Sequence, residues 1–141
     1  MRIVIDTNVA ISGLLWAGSP RRLIDHVRAG RVALCTSLPL VAELAEVIAR
    51  PRFAGRLQAA GVSPGDLVRG FIQFAEIVSP ALLLEPICRD PDDDIVIATA
   101  LGANAELLVS GDDDLLVLRV AGGVPIVNVA EALIRIDPQA L

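Results

Sequence analysis

Apolar positions along the chain fall into short runs separated by turn signals. Ile3-Val4-Ile5 is continuous rather than alternating, which predicts a strand buried on both faces, with Asp6-Thr7-Asn8 at its C-terminal end. Ser19-Pro20 supplies an N-cap and a first-turn proline for a helix that Gly30 stops, and Val32 to Cys35 predicts a second strand. Ser37 opens a helix that Arg50-Pro51 interrupts. Another helix runs from Arg52 to Ala60 and ends at Gly61, and Ser63-Pro64 starts the next, with Leu67, Phe71, Phe74 and Ala75 at helical spacing. Ala81 to Leu84 reads either as a third strand or as the tail of a loop. Asp92-Asp93 caps a helix running through Ile95, Ile97, Ala98 and Leu101 to Gly102. Leu107 to Val109 is a strand followed by Ser110-Gly111-Asp112. Val124 to Val127 is a last strand and Glu131 to Ile134 a short helix.

Strands alternating with helices imply parallel pairing through right-handed crossovers, hence an α/β fold with the sheet between two helical layers, in one domain over residues 1–141. In open sheets of this kind ligands bind beyond the carboxyl ends of the strands. Asp6 and Asp112 are placed there.

Composition adds to that picture. The apolar set is 54% of the chain, with only 3% aromatic, so the core is built from Ala, Val, Leu and Ile. The net charge of −5 argues at first against a nucleic-acid partner, but the charge is unevenly spread. Seven of the 17 acids lie in two clusters, Asp90/Asp92/Asp93/Asp94 and Asp112/Asp113/Asp114, while residues 21–56 carry seven arginines against Asp25, Glu43 and Glu46. Carboxylates are gathered as if for a cation, and guanidiniums are offered to an anion. All 12 basic residues are Arg, which excludes a P-loop or Schiff-base lysine, and the single His26 excludes two-histidine mechanisms. Cys35 and Cys88 form no CxxC pair and read as free thiols. The chain reaches a strand by Arg2 without a signal peptide, and Gly122, Gly123 and Pro125 break its longest apolar run; a cytoplasmic protein with no membrane contact is expected.

On the helix from Ser37, Leu40, Val41, Leu44, Val47 and Ile48 share one arc. Glu43 falls at the edge of that arc and Glu46 well outside it. A carboxylate at the rim of a buried face costs several kcal/mol unless a cation or hydrogen bonds satisfy it. One Asp would suffice to cap the helix near residue 92, so four acids in five positions call for a further role. Acids from separate elements converging on one crevice repel one another unless a divalent cation or protons neutralise them. Oxygen ligands without His or Cys select Mg²⁺ or Mn²⁺ over zinc. Such an ion beside arginine-bearing helices suits phosphodiester hydrolysis.

Ile-Val-Ile-Asp6-Thr7-Asn8, Glu43 in Leu-Val-Ala-Glu-Leu, Asp93 in Asp90-Pro-Asp-Asp-Asp and the late Val-Ser110-Gly-Asp112-Asp-Asp114 segment, in this order, resemble a PIN-domain ribonuclease. The likeness is strongest to the VapC-like toxins of bacterial and archaeal toxin–antitoxin systems. It implies a parallel five-stranded sheet and a metal-dependent endoribonuclease, dimeric or of higher order and inhibited by a cognate antitoxin protein. It further implies Asp6, Glu43, Asp93 and Asp112 as the acidic quartet holding Mg²⁺ or Mn²⁺, with Asn8 and Ser110 as supporting polar groups. Asp114 matches a second acid placed for a second ion. Among Asp92, Asp93 and Asp94, the spacing to Ala98-Thr99-Ala100 favours Asp93; Ser110 stands where the family often has Thr. The expected reaction is in-line attack of water on an RNA phosphate, leaving a 5′-phosphate. A HAD-type phosphohydrolase or a receiver domain would need a Lys, and the former also an Asp at position 8. The competing reading is a non-catalytic PIN-like module that binds RNA or protein.

Overall fold

The computed structural model describes residues 1–139; the last two residues of the expected 1–141 domain lie outside it. The elements in order are β1 (Arg2–Ile5), α1 (Thr7–Leu15), α2 (Ser19–Arg28), β2 (Ala33–Thr36), α3 (Leu38–Ile48), a 3-10 turn (Pro51–Phe53), α4 (Ala54–Ala60), α5 (Pro64–Phe74) and β3 (Ala75–Ile77). They continue with α6 (Pro91–Gly102), β4 (Leu107–Val109), α7 (Asp113–Leu116), β5 (Val120–Ala121), β6 (Val124–Val127) and α8 (Val129–Ile136). The sheet order is β3-β2-β1-β4-β6-β5, with every pairing among the first five strands parallel.

The expected α/β architecture with five parallel strands is present, with three differences of detail. β5 adds an antiparallel sixth strand at one edge. Gly122 and Gly123, with φ of +56° and +84°, form the two-residue turn that returns β5 onto β6, a geometry suited to paired glycines. The third strand is Ala75–Ile77 and not Ala81 to Leu84. Ala75 leaves the helical conformation and pairs with Leu34, whereas Leu82 and Leu84 are 87% and 92% exposed and belong to a loop. Finally, α1 follows Asp6 directly. Its nine residues are so uniformly apolar that six are buried, and no polar face marks it as a helix in the sequence.

Alternation along the strands divides the core. Ile3, Ile5, Leu34, Leu107 and Val109 pack on one side against Val9, Leu23, Leu44 and Ile48 of α1, α2 and α3. Val4, Cys35, Leu108 and Ile126 pack on the other against Val96, Ile97 and Ala100 of α6. Each helical layer therefore presses strand ends into a fixed register. Gly13 allows α1 to cross α2, since a Cβ there would stand 2.7 Å from the Pro20 carbonyl oxygen. The wholly buried Ser37 and Thr99 hydroxyls join at 2.8 Å. Because Thr99 donates to the Ile95 carbonyl, Ser37 donates to Thr99. That bond ties the start of α3 to the middle of α6. Among the described residues, no helix is long and apolar enough to cross a membrane. Both cysteines are free, Cys35 buried and Cys88 half-buried.

Candidate functional site

The central strands β1 and β4 run side by side, so their carboxyl ends deliver Asp6 and Ser110 to the same edge. Asp6 is only 6% exposed and caps α1: its Oδ1 accepts from the Val9 amide at 2.9 Å. Its Oδ2 accepts from the Ser110 hydroxyl and, at 3.3 Å, from the Gly111 amide. Burial raises the Asp6 carboxyl above the usual range; the bonds from Ser110, Val9 and Gly111 oppose that rise, and the Asp112 charge adds to it. The Ser110 oxygen also accepts from the Asp112 amide at 2.9 Å, so one buried hydroxyl links the two strand ends.

Glu43 reaches the same place from α3. The rim position expected for it is observed: it is half-buried, and its Oε2 accepts from the Thr7 hydroxyl at 2.8 Å. Burial raises its carboxyl, Thr7 opposes this, and the charges of Asp92, Asp6 and Asp90 raise it further. Glu46 instead lies on the surface, 3.1 Å from Arg50.

The acids at the start of α6 divide their roles. Asp90, rather than Asp92 or Asp93, is the N-cap, accepting from the Asp92 amide at 2.9 Å. Asp94 accepts from the amides of Ile87 and Cys88, at 3.1 and 2.8 Å, and so pins the preceding loop. Asp93 is left on the inner side, half-buried. Its carboxyl is pushed up to about 6, first by burial and then by the charges of Asp112, Asp90, Asp114 and Asp6.

These groups meet on one cavity of about 300 Å³, into which Asp6, Glu43, Asp93 and Asp112 all face. Asn8, the one exposed residue in the first turn of α1, lines it too. Ser110 stands behind Asp6 and is not on the wall. Asp114 lines an adjoining cavity instead, and its amide donates to Asp112 Oδ1 at 2.9 Å. The polar wall residues given no individual role from the sequence are Thr7, Asp90, Arg50 and Arg52, and Asp92, the alternative to Asp93 there, lines the cavity as well. Thr7 was visible only as part of the Asp-Thr-Asn triplet. The arginines follow from Pro51, whose 3-10 turn presents both at the rim, with the Arg52 guanidinium over the Phe53 ring at 4.7 Å.

The wall offers oxygen ligands of the kind hard divalent cations take. Among the described residues, however, no three of its carboxylates stand close enough, as placed, to share one ion. Holding an ion jointly therefore requires rotation of side chains, most readily of the less buried Asp93 and Asp112. The donor types fit Mg²⁺ or Mn²⁺; the placement alone does not select between them.

No curated protein matches the sequence as a relative. Among solved structures, the fold is similar to a chain in the crystal structure of VapBC2 from Rickettsia felis bound to a DNA fragment from its promoter. That match has a TM-score of 0.60 at 14% identity and covers 91% of this chain and 98% of that one. The PIN-domain family model matches residues 2–114, a span holding every acid of the cavity, and the chain therefore belongs to the PIN-domain family, whose members are generally nucleases.

Proposed function

We propose that the protein is a divalent-metal-dependent endoribonuclease and the toxin of a toxin–antitoxin pair. One observation carries this reading: Asp6, Glu43, Asp93 and Asp112, from four separate elements, face one cavity whose rim bears Arg50 and Arg52. A cation bound there, Mg²⁺ or Mn²⁺, would polarise the phosphate and make a bound water more acidic. The protein's own groups do the rest. Ser110 and Thr7 fix Asp6 and Glu43, and Asp93 and Asp112 complete the negative wall. Arg50 and Arg52 draw the RNA backbone to that wall, where it would otherwise be repelled. Hydrolysis by in-line attack breaks the bond to the 3′ oxygen and leaves the phosphate on the 5′ side of the next nucleotide. Asn8 supports the site from the first turn of α1, and Asp114 is available to a second ion from the adjoining cavity.

The likeness in fold to VapBC2 supports an antitoxin protein as partner; we further take the protein as one domain that acts in the cytoplasm as a homodimer or higher homo-oligomer. The absence of a ready three-carboxylate grouping among the described residues is the observation that favours the rival reading, a non-catalytic PIN-like module.

One experiment separates the two. Purified protein and Asp6→Asn are incubated with transfer, ribosomal and messenger RNAs in EDTA, Mg²⁺ or Mn²⁺, and thermal melting is followed in the same buffers. The nuclease reading expects metal-dependent cleavage and metal-dependent stabilisation, both lost in Asp6→Asn. Cleavage by Asp6→Asn at the wild-type rate, or no response to either ion, would overturn it.

A further inference from the structure

Asp90 and Asp93 wall two cavities at once. Beyond them, away from Asp6 and Glu43, lies a second cavity of about 280 Å³ bounded also by Asp114 and Cys88 and by Ile87, Arg89, Val117 and Leu118. Its character is different. Val117 is 74% exposed, Ile87 43% and Leu118 36%, so apolar side chains from two distant segments flank the opening without covering one another. Both segments are held in place. Asp94 binds the amides of Ile87 and Cys88, and the amides of Val117 and Leu118 donate to the carbonyls of Asp113 and Leu115.

We propose that this second cavity receives an unpaired nucleobase of the RNA whose adjoining phosphate lies in the carboxylate cavity; the inference rests on the nuclease reading above. A ligand crossing Asp93 would put an anion toward Arg50 and Arg52 on one side and, on the other, an uncharged group that lies against Ile87, Val117 and Leu118 and turns hydrogen-bond donors to Asp90, Asp93 and Asp114. Adjacent units of a nucleotide chain meet that requirement. Arg89 offers a planar guanidinium that can stack on a base or donate to its edge, and Val117, Leu118 and Ile87 supply apolar contact. In a duplex the base is already stacked and paired, so the cavity selects single-stranded RNA and discriminates at one position next to the cleaved bond.

The test uses a short single-stranded RNA whose cleavage position has been mapped. An abasic ribose is moved through it one nucleotide at a time, and kcat/KM is measured for wild type and for Val117→Ser/Leu118→Ser. Wild type should lose about tenfold at a single position flanking the scissile phosphate, and the double variant should cut the intact RNA about as slowly as wild type cuts that abasic one. Both substitutions lie at the protein surface; should they unfold the chain, Arg89→Ala is read in the same way. An abasic scan without effect, a duplex cut as fast as the single strand, or a variant that keeps the full discrimination would overturn the proposal, the last leaving this surface to a protein partner. Wild type that cleaves no RNA in either ion would instead sink the nuclease reading itself.

Discussion

Replacing Asp93 with Asn should make the protein more stable and inactive together. Asp93 is half-buried, lacks a hydrogen-bond donor among the described residues, and faces the charges of Asp112, Asp90, Asp114 and Asp6. Burial and repulsion carry its carboxyl from 3.8 to about 6. At ~1.4 kcal/mol per pH unit that displacement is worth about 3 kcal/mol, and solvent screening of a partly exposed group reduces the expected gain to about 1–2 kcal/mol. For a chain of this size the gain corresponds to roughly 4–8 °C in Tm. The sign follows from proton linkage. A carboxyl that holds its proton more tightly when folded favours the fold fully below its unfolded pKa, and that advantage disappears as pH rises through about 6. Asp93→Asn should therefore match wild type near pH 4 and exceed it by the full margin at pH 7, in EDTA, by thermal or urea melts. Added Mg²⁺ or Mn²⁺ should stabilise wild type more than the variant and narrow the gap. A variant less stable than wild type at pH 7, or one that still cleaves RNA, would refute the reasoning.

Substitutions at three other positions probe the supports. Ser110→Ala removes a donor from the buried Asp6 and an acceptor from the Asp112 amide, so it should cost about 1–3 kcal/mol in urea unfolding. It should also lower kcat about 10–100-fold with little change in KM, and Ser110→Thr should recover most of the loss. Thr7→Val keeps the shape but strips Glu43 of its donor; the Glu43 carboxyl should rise further, and the acid limb of the pH–rate profile should move to higher pH. Gly13→Ala forces a Cβ against the Pro20 carbonyl and Ile24 Cγ1, and should cost about 1–3 kcal/mol in urea unfolding.

What was legible in the sequence depended on how local the cause was. β1, β2, β4 and β6 announced themselves as apolar runs with polar residues at their carboxyl ends, and Glu43 betrayed itself by sitting at the edge of an apolar arc. α1 was hidden because a helix buried on nearly all sides has no polar stripe, and its start signal was Asp6, already claimed for the site. β3 was displaced because Ala75-Glu76-Ile77 continues the helical spacing of Phe71 and Phe74; pairing with Leu34 to Thr36, a tertiary event, decides it. The division of labour among Asp90, Asp93 and Asp94 depends on which backbone amides each carboxylate meets, and spacing alone does not contain that information.

The same distinction explains how the fold tolerates so acidic a cavity. Carboxylates with donors are structural as much as functional: Asp6 caps α1, Asp90 caps α6, Asp94 pins the 87–88 turn and Asp112 caps α7. Their charge is partly compensated by amides and helix dipoles whatever else is bound. Asp93 shares the α6 dipole but accepts no hydrogen bond among the described residues, and its carboxyl is pushed up to about 6. It is therefore where a cation or proton relieves an unbonded carboxylate, and where stability and activity should part company under substitution. In this arrangement the caps fix the walls, and one carboxylate without a hydrogen-bond donor makes the cavity respond to what enters it.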